Sequence, residues 1–278
     1  MRSPCDHRVE WFLSMLAETP IAAPRTEERF TALVKTQLRR LRAAAARSWL
    51  NPYTLTNRRL TALLGEMAPR AHGKMLDVGC GKKPYASLFS QVEAHIGVEV
   101  PITLSKSQVI DVYGSALHLP FASSSFDTVL CTQVLEHVPE PHQLLGEVAR
   151  VLKPGGILIL TAPQTWGPHE VPHDFFRFTR FGLSYLAGCA GLQVETIKPT
   201  TGTFGMVGQR LSTLLYHKLG QGRFLCQMPT MLLCASVQLV CEGLDRLVAR
   251  DGDTLDHVMV AIKVPSPDGN HGPQPAPR

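Results

Sequence analysis

Met75-Leu76-Asp77-Val78-Gly79-Cys80-Gly81 is a strand-like run that opens straight into a glycine turn. Met75, Leu76 and Val78 read as a buried parallel strand, whose two faces both meet helices. Gly79 and Gly81 let the backbone approach a ligand at the carboxyl edge of that strand. Glu99 closes the next strand-like run, Ala94-His95-Ile96-Gly97-Val98. An acid at that place can accept hydrogen bonds from both hydroxyls of a ribose, so the ligand implied is a nucleoside.

The glycine spacing narrows the choice of nucleoside. Dinucleotide sites use G-x-G-x-x-G, whose third glycine permits close packing around a pyrophosphate. Here Pro84 stands where that glycine would be. A P-loop needs Gly-Lys followed by Ser or Thr, and Gly81-Lys82-Lys83-Pro84 lacks the hydroxyl. Two glycines without a pyrophosphate cradle suit a ligand without phosphates, and S-adenosylmethionine fits.

Further motifs follow in order. Ala116-Leu117-His118-Leu119-Pro120-Phe121 and Ser125-Phe126-Asp127 come next, then Val134-Leu135-Glu136-His137-Val138, then Val151-Leu152-Lys153-Pro154-Gly155-Gly156. With these, the chain resembles the class I S-adenosylmethionine-dependent methyltransferases, in the broad group that includes the quinone-biosynthesis type. The resemblance runs from about 51 to 198 and returns at 256–264. It implies a Rossmann-like α/β fold: a seven-stranded sheet, mostly parallel with an antiparallel last strand, and helices on both faces. It also implies residue roles. Asp77 would orient the glycine loop and neighbour the methionyl amino group; Gly79, Cys80 and Gly81 would form the loop beneath the methionyl part. Glu99 would bind the ribose, Ala116 would offer its backbone to adenine, and Gln133 would sit near the sulfonium. Ser115 stands where the family usually has an Asp, so adenine recognition is expected to be weaker or water-mediated.

The 278 residues suffice for one α/β domain with additions. A hydrophobic content of 44% with 18% charged residues suits a substantial core. The net charge of +5 is modest, and Arg39, Arg40, Arg42, Arg47, Arg58 and Arg59 crowd the amino-terminal region. No dense basic stripe interleaved with aromatics is present, so no nucleic-acid partner is expected. The seven cysteines form no C-x-x-C pair. Reduced thiols and a cytoplasmic setting follow, and no signal peptide is evident.

Residues 1–72 read as a helical cap, with Phe30, Leu33, Val34, Leu38 and Leu41 at helical spacing and a second helix over 55–67. The methyltransferase domain is expected over 73–264, with strands near 74–78, 94–99, 108–112, 127–131, 157–162, 192–198 and 257–264. Pro141 suits the first turn of a helix that Lys153-Pro154-Gly155-Gly156 stops, and 181–189 forms a short helix. A helical insertion is expected over 202–255. Its stretch 224–241 carries no charge, but Gln227, Pro229, Thr230, Ser236 and Gln238 interrupt it, against a membrane span. A buried or lid-forming helix is the first reading; a peripheral membrane contact is the second. The Pro- and Gly-rich tail 265–278 reads as disordered. Oligomeric state is left open.

Methyl transfer is an in-line displacement, and the enzyme can also remove a proton from the acceptor. His137 follows strand four and is either a candidate base or a helix-start histidine bonding a nearby carbonyl. After strand five, 163–179 concentrates His169, Glu170, His173, Asp174, Arg177 and four aromatics. His169 and His173 are assigned to an acceptor pocket, whereas Arg177 is expected to brace the loop through Asp174. The letters His169-Glu170-Val171-Pro172-His173 match H-E-x-x-H. That motif binds zinc only on an unbroken helix, which Pro172 forbids, so a metallohydrolase is set aside and no metal is expected. The reading is a methyltransferase acting on a small-molecule, apolar acceptor, with oxygen favoured over nitrogen or carbon. The alternative is an inactive S-adenosylmethionine-binding partner subunit.

Overall fold

The computed structural model describes residues 48–101, 110–220, 224–248 and 252–265. The amphipathic stretch around Phe30–Leu41, the arginines before Ser48 and the tail beyond Pro265 lie outside the described residues.

Seven strands form one sheet. They are β1 (Lys74–Val78), β2 (Ala94–Glu99), β3 (Val112–Tyr113), β4 (Phe126–Thr132), β5 (Leu152–Pro163), β6 (Leu192–Pro199) and β7 (Asp256–Lys263). Their order is β3-β2-β1-β4-β5-β7-β6. All neighbours are parallel except β7, which runs antiparallel to both β5 and β6. The chain order reverses between β1 and β4, and ligands of open α/β sheets gather outside the carboxyl ends at such a point.

Side-chain alternation along the strands divides the core in two. Leu158 and Leu160 of β5 join Met259 and Ala261 of β7 on one face, under α2 (Pro141–Val151) and α3 (Arg180–Cys189). Ile157 and Ile159 join Val258 and Val260 on the other, against Leu60, Leu64 and Met67 of α1 (Thr54–Met67). Each such buried aliphatic side chain contributes about 1.5–3 kcal/mol. Pro141 does begin α2, and the Thr179 hydroxyl accepts the Gly182 amide at 3.1 Å to start α3.

Two boundaries differ from expectation. β3 covers only Val112–Tyr113, whereas 108–112 was expected; 108 and 109 lie outside the described residues. β5 begins at Leu152 rather than near 157. Leu152 pairs with Phe126, the Lys153–Gly156 turn bulges out, and Ile157 resumes opposite Thr128.

The insertion is a helical hairpin, α4 (Thr203–Leu215) and α5 (Phe224–Leu247), joined through a π-helical turn at Tyr216–Gly220. Among the described residues no helix is long and apolar enough to cross a membrane. Its buried polar residues hold α1. That helix has no side-chain cap from its own N-cap residue, Tyr53. Instead the Leu55 amide donates to Gln238 Oε1 at 2.9 Å and the Thr56 amide to Gln209 Oε1 at 3.2 Å. First-turn amides lack partners within their own helix, so the hairpin supplies them. Arg59 of α1 pairs with Glu242 at 3.2 Å. Asp245 in turn accepts the Gly202 amide at 2.7 Å, where α4 begins.

Candidate active site

The glycine turn leaves β1 at the carboxyl edge of the sheet. Gly79 has φ +65° and Gly81 φ +50°, values that favour glycine. A Cβ on Gly79 would stand 2.4 Å from Val134 Cγ2, whereas one on Gly81 would meet nothing within 4 Å. The loop therefore presses on the segment after β4 at its first glycine and faces open space at its second. The amides of Gly79 and Cys80 both donate to the Val98 carbonyl, at 2.9 and 3.2 Å. Gly97 makes room for this, since a Cβ there would lie 2.6 Å from Cys80 Sγ.

Glu99 meets the loop directly. Its Oε2 accepts the Gly81 amide and its Oε1 the Val100 amide, both at 2.9 Å. Each carboxylate oxygen has a second lone pair, so this fixed orientation is compatible with accepting two ribose hydroxyls. Asp77 is buried, and its Oδ2 lies 2.9 Å from His95 Nε2. Burial raises its pKa, against the opposing hydrogen bond and charge of His95. His95, quoted in the sequence only as part of a strand, is thus the partner of Asp77. Ser115 is exposed, and its hydroxyl accepts the Leu117 amide at 3.2 Å; Ala116 follows it, packed against the first core.

These positions fit an adenosyl ligand without phosphates: two bare backbone turns with open space above Gly81, and an oriented carboxylate on the adjoining strand.

Gln133 follows β4 directly and lies in the left-handed region, at φ +54°. Its amide donates to the Thr161 carbonyl, and its Nε2 to Thr161 Oγ1 at 3.1 Å. Gln133 opens onto a cleft of about 310 Å³ lined also by Asn51, Tyr53, Thr56, Asn57, Leu60, Tyr85, Trp166 and Asp256. The volume is at the small end for ligand sites.

Asp256 was not foreseen. As the first residue of the antiparallel β7, it stands opposite Pro163 at the carboxyl edge of the parallel strands. The Thr56 hydroxyl donates to its Oδ2 at 3.3 Å. Burial pushes its pKa up to about 6, against hydrogen bonds from Thr56, Gln133 and Thr200. A buried carboxyl tuned toward neutrality in a cleft is the profile of an acid–base group.

The loop after β5 is braced as expected. Arg177 donates to both Asp174 oxygens, at 2.7 and 2.8 Å, and to the carbonyls of Trp166 and Gly167. The paired guanidinium holds the Asp174 carboxyl well below the usual range. The His169–His173 letters form no helix. His173 is exposed, its ring 6.4 Å from Phe175, and it contributes its carbonyl to His137 Nδ1 at 2.7 Å. His169 and His137 do converge, with their Nε2 atoms 3.1 Å apart. Glu136, quoted in the sequence only as part of a motif, lies fully buried beside them.

Residues 76–160 match the methyltransferase domain family. An uncharacterized methyltransferase of Mycobacterium leprae is 35% identical over 129 residues, covering 40% of this chain and 48% of that protein. One of Mycobacterium tuberculosis is 34% identical over 145 residues, covering 46% and 54%. The chain thus spans about half the length of the curated relatives it matches. Among solved structures, the crystal structure of the [4+2]-cyclase SpnF aligns with a TM-score of 0.50 at 22% identity, over 74% of this chain and 81% of that one. At that identity the likeness concerns the fold alone.

Proposed function

We propose that this chain, whose residues 76–160 match the methyltransferase domain family, is a class I S-adenosylmethionine-dependent methyltransferase acting on a small, apolar acceptor that enters the cleft between Tyr53 and Asp256. The observation that carries this reading is the buried Asp256 carboxyl beside Gln133. S-adenosylmethionine supplies an electrophilic methyl group on its sulfonium. Gly79, Gly81 and Glu99 bind the cofactor, with Asp77 holding the turn and Ser115 and Ala116 at the adenine. Tyr53, Leu60, Tyr85 and Trp166 give the acceptor apolar walls, and Asn51, Asn57 and Thr56 orient it. Asp256 accepts the acceptor proton. A carboxylate with a pKa near 6 is matched to a hydroxyl acidified in the transition state, which favours oxygen as the methylated atom.

Phe204, Val207 and Leu211 of α4 and Leu232, Leu239 and Val240 of α5 are exposed large hydrophobics. This supports a peripheral membrane contact that delivers apolar acceptors. Leu232→Glu combined with Val240→Glu should reduce cosedimentation with anionic vesicles; unchanged partitioning removes the membrane from the proposal.

Calorimetry with S-adenosylmethionine tests the cofactor, and release of S-adenosylhomocysteine across a panel of apolar hydroxyl compounds tests turnover. Binding with release is expected. Binding without release from any acceptor, in protein whose fold is intact, would make the chain a cofactor-binding module instead.

A further inference from the structure

Glu136 and His137, on the 3₁₀ turn Leu135–His137, come together with His169 of the loop after β5. The Glu136 side chain is fully shut off from solvent, and neither of its carboxylate oxygens has a hydrogen-bond partner of normal geometry among the described residues. An isolated buried carboxylate is costly unless a cation meets it. His137 Nε2 lies 3.7 Å from Glu136 Oε1 and 3.1 Å from His169 Nε2.

The outer nitrogens fix the tautomers. His137 Nδ1 faces the His173 carbonyl at 2.7 Å, and His169 Nδ1 faces the Gly167 carbonyl at 3.2 Å. A carbonyl only accepts, so each Nδ1 carries the hydrogen. In the neutral rings both Nε2 lone pairs then point at one another, with the carboxylate alongside. Three electron-pair donors within 4.8 Å of one another describe an arrangement that lacks its electrophile. Backbone carbonyls holding the far nitrogen are the usual support of metal-bound imidazoles.

We propose that Glu136, His137 and His169 bind one borderline divalent cation, zinc foremost. With metal–ligand lengths of about 2.05 Å, the 3.1 Å nitrogen separation corresponds to an angle at the metal of roughly 100°. With the same lengths, the 3.7 Å nitrogen–oxygen separation gives roughly 130°. Both bracket the tetrahedral value. Two imidazoles and a carboxylate suit zinc, cobalt or ferrous iron better than magnesium or calcium. The fourth position is left to water or an acceptor oxygen, and the exposed Glu170 carboxylate stands 3.9 Å from His137 Nε2 as a further donor. The site uses none of the residues assigned to S-adenosylmethionine, and its binding is read with neither cofactor nor acceptor present. It therefore stands or falls separately from the acceptor reading.

The full-length protein, stripped with a chelator, is titrated with zinc and with cobalt. One equivalent of each should bind, and the cobalt spectrum should lack thiolate charge-transfer bands, which separates this site from the cysteines. Glu136→Gln and His169→Ala should each weaken zinc affinity at least tenfold. Because Glu136 is buried, folding of its variant is checked by circular dichroism; the half-exposed His169 gives the second, independent readout. Nitrogen-15 shifts of the two imidazoles report the metal directly, since zinc moves Nε2 whereas a shared proton titrates with pH. Absence of stoichiometric uptake, uptake unchanged in the His169 variant, or rings that respond to pH alone would overturn the proposal.

Discussion

Asp256→Asn should lower turnover by about 10²- to 10⁴-fold, the contribution of a positioned general base, with cofactor affinity close to that of the unmodified chain. The substitution keeps size and most hydrogen bonding but removes the proton acceptor. Asp256 meets Thr56 and Gln133, whereas the glycine loop is held by Glu99. The wild-type rate should rise with pH through about 6 and level above it, and that limb should vanish in the variant. The stability effect has the opposite sign. The carboxyl binds its proton more tightly in the folded chain, with a pKa of about 6, than an ordinary aspartate does at 3.8. Between these values stability falls as pH rises, and above them the ionised group costs about 3 kcal/mol. The variant should therefore melt higher than wild type at pH 8 while losing activity. Unchanged turnover would remove Asp256 from the mechanism; a lower melting point would show that its hydrogen bonds outweigh its burial.

Glu99→Ala should weaken S-adenosylmethionine binding by roughly 1.5–3 kcal/mol, or about 10- to 150-fold, the range for hydrogen bonds to a charged group. Two losses combine. The ribose loses its acceptor, and the Gly81 amide loses the oxygen that sets the turn. Glu99→Gln retains one carbonyl oxygen and should fall between the two. Calorimetry with S-adenosylmethionine and S-adenosylhomocysteine measures both variants. Wild-type affinity in Glu99→Ala would take the residue out of the site.

The strand limits of β1, β2 and β4 were readable because apolar runs, turn glycines and proline act locally, within a few residues. What escaped reading depends on chain reversal. Asp256 looks like an ordinary strand opening; only the antiparallel course of β7 carries it to the edge where the parallel strands end. His137 and His169 lie 32 residues apart, and no spacing rule links them. Glu136 sits in a recognisable motif, yet its complete burial has no signature in the letters around it. Gln238 was read as an interruption of an apolar run. A polar residue amid apolar neighbours on a helix was the available signal, and it marks a capping group.

That capping reaches further than the helix it serves. The first turn of α1 carries Thr56 and Asn57 into the cleft next to Tyr53, yet no hairpin residue lines that cleft. The excursion between β6 and β7 thus acts as a buttress: it fixes the outline of a chamber from behind the wall, and trimming it away would let that wall sag.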